Sequence, residues 1–105
     1  MKPMQLSKRK KLEIIVEAPV LRRVEAFLAE AGVRGWTVLP SLAGAGDSGE
    51  WRSGDFTPGQ EKRLIYALVT TEVADRVLAR LADFFADYPG VVAVSDVEVM
   101  RGEKF

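Results

Sequence analysis

The side chains best suited to ligand chemistry lie in one glycine-rich segment, residues 43 to 61. Trp51, Arg52 and Phe56 place two aromatic rings and a permanent cation within it. A guanidinium offers a rigid fork of donors that matches phosphate or carboxylate, and glycine lets the backbone approach a ligand closely. Long loops inside compact domains are usually functional or disordered. We therefore expect a structureless, ligand-responsive arm over a nucleotide site.

The run from Gly44 to Gly49 matches the spacing of a dinucleotide-binding glycine loop, but its context does not fit. That fingerprint requires a helix to begin at the glycines, so that the helix N-terminal amides meet the pyrophosphate. The chain instead continues through Trp51, Gly54 and Pro58 without a helical pattern. A Rossmann site is therefore rejected.

Catalytic chemistry has little support in the sequence. The chain contains neither cysteine nor histidine, which removes thiolate nucleophiles, imidazole metal ligands and the usual general base near neutral pH. Ser48 and Ser53 thus have no histidine base. Asp96 and Glu98 alternate along one predicted strand instead of converging in a pocket. We expect a protein that is not an enzyme.

Composition narrows the class of partner. The chain has 105 residues, which suits a single domain over 1–105. Lys plus Arg equals Asp plus Glu at 15 each, so there is no general electrostatic attraction to nucleic acid or to an anionic membrane. No apolar run approaches the roughly 20 residues that span a bilayer. The expectation is a cytoplasmic protein that neither binds nucleic acid nor inserts into a membrane.

Hydrophobic periodicity predicts the elements that position these residues. A flexible lead-in over 1–10, ending in a solvated charge run, precedes an alternating strand from Leu12 to Ala18. Helical spacing follows from Pro19 to Ala31, and Gly32 ends the helix. The pattern then predicts a strand over 35–42, the long loop over 43–61, a strand over 62–69, a helix capped by Thr70 or Thr71, and a strand over 91–100.

The order strand, helix, strand, strand, helix, strand is the ferredoxin-like βαββαβ arrangement of the α+β class. Its two helices can cover only one face of the sheet. The strand over 62–69 nevertheless has apolar residues on both faces, with Leu64, Tyr66 and Leu68 on one and Ile65, Ala67 and Val69 on the other. We therefore expect self-association through the uncovered face.

The joint order of several short motifs resembles the PII signalling superfamily. These motifs are the run from Gly32 to Val38, the glycine-flanked loop after it, and the run from Asp96 to Glu103. The runs Trp51 to Gly54 and Phe85 to Val92 are similar to the PII-like proteins of inorganic-carbon metabolism, the bicarbonate-transporter regulators and their carboxysome-associated relatives. The resemblance implies a homotrimer that binds adenine nucleotides between subunits, with a T-loop at 43–61 and a B-loop at 86–90.

The resemblance also implies roles for eleven residues. Gly35, Trp36 and Thr37 would lie by the adenine and ribose. Gly44 and Gly46 at the base of the T-loop would approach the phosphates, and Arg52 would contact them. Tyr88, Pro89 and Gly90 would form the B-loop contact, while Arg101 and Gly102 would approach from the adjoining strand end.

Departures from the resemblance refine the expected ligand. The T-loop has no tyrosine for uridylylation, and Asp47-Ser48 replaces the glutamine that helps nitrogen PII proteins hold magnesium and 2-oxoglutarate. The B-loop has no lysine, so AMP or ADP should compete well with ATP. No cysteine-bearing tail is present for redox-linked nucleotide hydrolysis.

The function implied by the resemblance is a noncatalytic sensor of ADP or AMP, with ATP or cyclic AMP and bicarbonate as further ligands. Ordering of the T-loop, with Arg52 as its holding contact, would control a bicarbonate transporter or a carboxysome-linked protein. Two alternative functions share the architecture. The first is a metal-responsive trimer of the copper-tolerance type, which the absence of Cys and His argues against. The second is a small ferredoxin-like hydrolase, but the sequence has no phosphate-binding loop at the start of a helix. An RNA-recognition module has the same strand order, but the third predicted strand lacks the aromatic and glycine signature that such modules use to stack bases.

Overall fold

The computed structural model describes residues 4–47, 49–52, 54 and 61–105. The predicted succession of elements is confirmed, with an additional hairpin inside the long loop. The strands are β1 (Ser7–Glu17), β2 (Thr37–Pro40), β3 (Ala43–Gly46), β4 (Gly49–Arg52), β5 (Lys62–Val69) and β6 (Gly90–Val99). The α-helices are α1 (Leu21–Ala31) and α2 (Thr71–Phe84), and single 3-10 turns cover Ala18–Val20 and Gly102–Lys104.

Four strands form one antiparallel sheet in the order β2-β5-β1-β6, as the ferredoxin-like prediction requires. β1 is central, since Leu12 pairs with Ala67 of β5 on one side and with Val94 of β6 on the other. β1 and β5 are therefore the two inner strands of the sheet, and β2 and β6 are its edges.

The core lies between this sheet and the two helices. α1 ends at Gly32, whose φ of 95° is left-handed and suits glycine. α2 begins at Thr70, whose hydroxyl accepts a hydrogen bond from the Val73 amide. The buried apolar side chains come from both helices and from alternate positions of β1 and β5, and include Leu12, Ile14, Val24, Leu28, Ile65, Val77 and Leu81.

The flexible lead-in predicted over 1–10 is too long. Ser7 to Lys10 belong to β1, and Ser7 already pairs with Val99 of β6. Strand pairing uses backbone groups only, so a run of basic side chains can take part if the side chains reach solvent or a partner. Lys10 has such a partner, because it forms an ion pair with Asp96.

The prediction of a structureless arm is also wrong for the described part of the T-loop. Ala43–Gly46 and Gly49–Arg52 pair as an antiparallel hairpin, with Gly44 opposite Trp51. The second sheet strand is correspondingly shorter than 35–42. Ser48, Ser53 and residues 55–60, which include Phe56 and Pro58, lie outside the described residues.

The sheet face opposite the helices carries apolar side chains of β5 and β6, as expected, together with the charged Lys11 and Glu13 of β1. Ile65 is fully buried on the helix side, whereas Tyr66 on the other side is 36% exposed and Val91 is 59% exposed. Self-association through this face stays a prediction. Neither α1 nor α2, the α-helices of the described part of the chain, has the length and apolar character of a bilayer-spanning segment.

Candidate functional site

An open cavity of about 440 Å³ lies between the hairpin β3–β4 and the start of β6. This volume is in the range of roughly 300–1,000 Å³ that small-molecule sites occupy. Its walls come from the hairpin (Ala45, Gly46, Asp47, Trp51), the sheet (Ile15, Val16, Lys62) and the segment Pro89, Gly90 and Val91. The cavity thus joins the T-loop to the B-loop within one chain.

The sheet register explains why these distant segments meet. Val16 near the end of β1 pairs with Gly90 at the start of β6. The next residue, Glu17, pairs with Lys62 at the start of β5. The B-loop and the two ends of the T-loop therefore converge at one end of the sheet, because antiparallel pairing brings the end of β1 beside the beginnings of β5 and β6.

Lys62 is the one cationic side chain among the described residues that line the cavity. Its side chain is only 13% exposed, and its Nζ lies 3.7 Å from Glu17 Oε2 and 5.3 Å from the centroid of the Trp51 ring. A phosphate or carboxylate entering the cavity would find its counter-charge here. Lys62 is not among the residues predicted from the sequence, although a lysine directly after the T-loop, at the start of an apolar strand, is a recognisable signal.

Trp51 packs its indole against Gly44 of the facing strand. A Cβ atom on Gly44 would overlap that ring, so glycine is required there by contact and not by backbone angle. The Trp51 Nε1 donates a hydrogen bond of 3.0 Å to Ser41 Oγ, just before the hairpin begins. Gly44 thus supports the hairpin, while Gly46 is the T-loop glycine that borders the cavity.

The B-loop is fixed by packing on both sides. A Cβ atom on Gly90 would lie 2.9 Å from the Ile15 carbonyl oxygen and would overlap the Phe85 ring. Tyr88 stacks on Phe84 at 4.6 Å between ring centroids, and the guanidinium of Arg23 lies 4.7 Å from the Tyr88 centroid. Pro89 and Gly90 therefore line the cavity, whereas Tyr88 packs toward the helices and supports the loop.

Arg52 does not border the cavity. It ends β4 opposite Ala43, and it is exposed. Side chains alternate along a strand, so Arg52 projects to the side of the hairpin opposite its neighbour Trp51. The predicted phosphate contact by Arg52 stays a prediction, since a single chain with this arrangement does not test it.

Arg101 and Gly102 lie at the other end of β6. Because β6 runs from Gly90 to Val99, the two ends are about 30 Å apart at the usual rise of a strand. Arg101 adopts a left-handed φ of 60°, which turns the chain so that Gly102 becomes buried. The Arg9 Nη2 donates a hydrogen bond of 2.6 Å to the Gly102 carbonyl oxygen, which fixes the tail across the beginning of β1.

Gly35, Trp36 and Thr37 also lie outside the cavity. The Trp36 Nε1 donates a hydrogen bond of 2.9 Å to Glu25 Oε2, and its ring packs against the core. The adjacent Arg34 donates through Nη1 to the Glu103 carbonyl oxygen at 2.7 Å. That contact brings Gly35 to the end of the molecule that holds the tail.

The two acidic residues of β6, Asp96 and Glu98, each lie opposite a lysine of β1. Asp96 forms an ion pair with Lys10, and the hydrogen bond from Lys10 and its positive charge hold the pKa of Asp96 below its usual value. Glu98 lies two residues further along and pairs with Lys8 in the strand register. Within the described ranges no group of three carboxylates is close enough to hold a metal ion.

Comparison with known proteins identifies close relatives. Residues 9–104 match the family described as nitrogen regulatory protein P-II. CPII, a nitrogen regulatory PII-like protein from Thiomonas intermedia K12 solved with ADP, AMP and bicarbonate, is similar at 34% identity with a TM-score of 0.89, over 98% of each chain. A PII-like signaling protein from Thermus thermophilus is 27% identical with a TM-score of 0.83, over 97% of this chain and 99% of that one.

A more distant structure shares the fold alone. The GlnK–ATP complex from B. subtilis is 16% identical with a TM-score of 0.60, and the match covers 86% of this chain and 83% of that one.

Proposed function

This chain belongs to the nitrogen regulatory protein P-II family, and we propose that it binds ADP or AMP in clefts between the subunits of a homotrimer. It is a PII-like regulator. Bicarbonate is the proposed second ligand, and the protein turns over none of these molecules. Two CPII structures, one with ADP, AMP and bicarbonate and the other with ADP and bicarbonate, support this choice of ligands.

One observation carries the proposal: a cavity of about 440 Å³ in which Gly46, Pro89 and Gly90 meet Lys62. Ile15, Val16 and Val91 offer apolar surface to a base or ribose. Lys62 offers the charge that a phosphate requires. The wall is mostly apolar, with Lys62 as its cation and Asp47 as its carboxylate, and apolar surface with a few polar groups is typical of small-molecule sites.

The predicted site residues form two groups that are far apart in one chain, which supports a cleft that a second subunit completes. Gly46, Pro89 and Gly90 border the cavity, whereas Arg101 and Gly102 lie about 30 Å away, at the far end of a ten-residue strand. One nucleotide cannot contact both groups in one chain. The apolar open face, where Val91 is 59% exposed, offers the surface through which subunits would bring the two groups together.

The number of cations favours the shorter nucleotides. Lys62 lines the cavity, and the B-loop contains no lysine. Each further phosphate of ATP would need its own charged partner. We therefore propose that AMP and ADP compete well with ATP, with the neighbouring subunit's tail as the remaining source of charge.

The proposed cellular role is control of inorganic-carbon uptake or fixation. In this proposal the T-loop changes its order when the cleft is filled, and the protein partner is a cytoplasmic segment of a bicarbonate transporter or a carboxysome-linked protein. The described part of the T-loop, a short hairpin of mostly exposed residues, offers the surface for such a partner.

Titration calorimetry with AMP, ADP, ATP and cyclic AMP, with and without bicarbonate, tests the ligands. We expect AMP and ADP to bind, and Lys62→Met to weaken ADP about tenfold to a hundredfold, because a charge-assisted hydrogen bond is worth roughly 1.5–3 kcal/mol. Arg22→Ala is the matched control, since it removes an exposed cation of α1.

Native mass spectrometry on the same samples tests the assembly. A trimer with up to three nucleotides is expected. A monomer, or an ADP affinity that Lys62→Met leaves equal to that of Arg22→Ala, would contradict the proposal.

A further inference from the structure

We propose that Trp51, not Arg52, is the residue through which a ligand in the cavity acts on the hairpin β3–β4. This inference rests on the proposed function, since it concerns the regulation of the same site. It assigns Trp51 as a positioning residue that connects the cavity to the T-loop, and it replaces the sequence-based expectation that Arg52 is the holding contact.

Trp51 is more buried than the other residues of β4. Gly49, Glu50 and Arg52, the other residues of β4, are exposed, whereas Trp51 is half-buried. On the facing strand only Gly44 is half-buried, and it is the residue against which the indole packs. Most of the apolar contact that the described hairpin makes is thus concentrated in one side chain.

Trp51 is also attached to the body of the protein on two sides. Its Nε1 donates 3.0 Å to Ser41 Oγ, in the segment that leaves β2. Its ring faces Lys62 of β5, whose Nζ is 5.3 Å from the centroid, a distance at which a cation is attracted to an aromatic face. The hairpin is therefore connected through Trp51 to the strands that precede and follow the T-loop.

Lys62 is shared between this attachment and the ligand cavity. Both Lys62 and Trp51 line the cavity, and Lys62 is held by Glu17 at 3.7 Å with its side chain 13% exposed. An anionic group that binds Lys62 fixes the ammonium beside the ring, and the apolar part of the ligand adds contact to the indole. Ligand binding should therefore stabilise the hairpin through Trp51.

Arg52 is the natural control because it is adjacent in sequence but lacks these connections. It is exposed, it is not among the residues that line the cavity, and it forms no ion pair with another described residue. Its guanidinium can change the surface that a partner meets without changing the packing of the hairpin.

Hydrogen exchange measured by mass spectrometry over residues 43–52 tests the proposal, with and without saturating ADP. ADP should slow exchange in this segment of the wild-type protein and of Arg52→Ala alike. In Trp51→Leu the protection should disappear, while calorimetry still detects ADP with an affinity reduced by no more than about tenfold, as one lost contact allows.

Two further variants approach the same contact without removing the tryptophan. Gly44→Ala introduces a Cβ atom that overlaps the indole, and it should reproduce the loss of protection. Ser41→Ala removes only the acceptor of the Nε1 hydrogen bond, and it should speed exchange in the unliganded hairpin about twofold to tenfold.

The outcomes distinguish this inference from the function on which it rests. Absence of AMP, ADP and ATP binding in the wild-type protein would overturn the proposed function. Binding of ADP accompanied by full hairpin protection in Trp51→Leu, or loss of protection in Arg52→Ala, would overturn the role of Trp51 and leave the nucleotide site intact.

Discussion

Each end of β6 has a closely packed glycine, but the packing leaves a cavity at the first end and closes the tail onto β1 at the second. Each has a glycine in close contact: Gly90 against the Ile15 carbonyl oxygen and Phe85, and Gly102 against Ser7 and Arg9. At the first end the contact leaves a cavity between the B-loop and the hairpin. At the second end it closes the tail across β1, held by the Arg9 hydrogen bond to Gly102.

The residues predicted from the family resemblance are divided between these two ends, so one chain would hold only part of the predicted site. The cavity end supplies Gly46, Pro89, Gly90 and Lys62. The tail end supplies Arg101, turned outward by a left-handed backbone at φ 60°. A second copy of the chain is the simplest source of the missing end, because subunits of a cyclic assembly present different surfaces to one another.

The largest effect is expected on ADP affinity, when the cavity end is disabled in one variant and the tail end in another. Lys62→Met disables the cavity end, Arg101→Ala disables the tail end, and each alone should weaken ADP binding about tenfold to a hundredfold. When both variants are co-expressed, each trimer that contains both should regain one intact cleft in three, because one intact cavity end then faces an intact tail end of the neighbouring subunit.

Calorimetry on the co-expressed, doubly tagged protein provides the measurement. Recovery of a high-affinity fraction is the expected result, and a simple mixture of the two singly tagged proteins prepared without subunit exchange is the control. If no high-affinity fraction is found although mixed trimers are isolated, the two ends do not act in one cleft.

A smaller effect is expected on the free energy of unfolding, which should fall more for Gly90→Ala than for Gly102→Ala. Gly90→Ala places a Cβ atom 2.9 Å from a backbone oxygen, which cannot move without the strand, and should cost about 1–3 kcal/mol as other overpacked sites do. Gly102→Ala would overlap the Ser7 Cβ atom, which rotation of the serine side chain does not move. The clash can be relieved by a shift of the 3-10 turn Gly102–Lys104, which lies outside the sheet, so this variant should cost less.

Chemical denaturation of both variants measures this difference. Gly46→Ala serves as the reference, because an added Cβ there meets nothing within 4 Å. A cost for Gly102→Ala equal to that of Gly90→Ala would indicate that the tail is as rigidly packed as the B-loop.

The smallest effect concerns the ion pair near the tail end of β6. Lys10 lowers the pKa of Asp96 through a hydrogen bond and its charge. A carboxyl whose folded-state pKa is depressed contributes stability above its unfolded pKa and loses that contribution as the pH falls through the folded pKa. Asp96→Asn should therefore lower the thermal midpoint slightly at pH 7, and the difference should shrink below about pH 4.

Thermal melts of wild type and Asp96→Asn across this range, at low and high salt, provide the test. Asp96 is exposed, so added salt should reduce the difference. Glu98→Gln, two positions along the same strand, is the matched carboxylate control. A difference that grows toward acid pH would have the wrong sign for a stabilising ion pair.

The periodic parts of the fold were predictable because they are local patterns. Alternation from Leu12 indicated the central strand, the apolar run over 62–69 indicated β5 at its observed bounds, and Thr70 begins α2 and Gly32 ends α1 as their chemistry requires. The lead-in was predicted too long because the pairing of Ser7 with Val99 joins positions 92 residues apart. No local pattern carries that information.

The sequence alone determined the order of elements, the lack of thiol and imidazole chemistry, and the glycines and prolines that the two loops contain. Only the tertiary structure decided which of those loop residues meet. Lys62 lies at the cavity because antiparallel pairing places it beside Glu17. Trp51 packs on the facing strand of the hairpin because Gly44 has no side chain to occupy the position of its ring. Residue types fix what a side chain can do, but contacts between distant segments depend on strand register and packing, which arise only when the whole chain has folded.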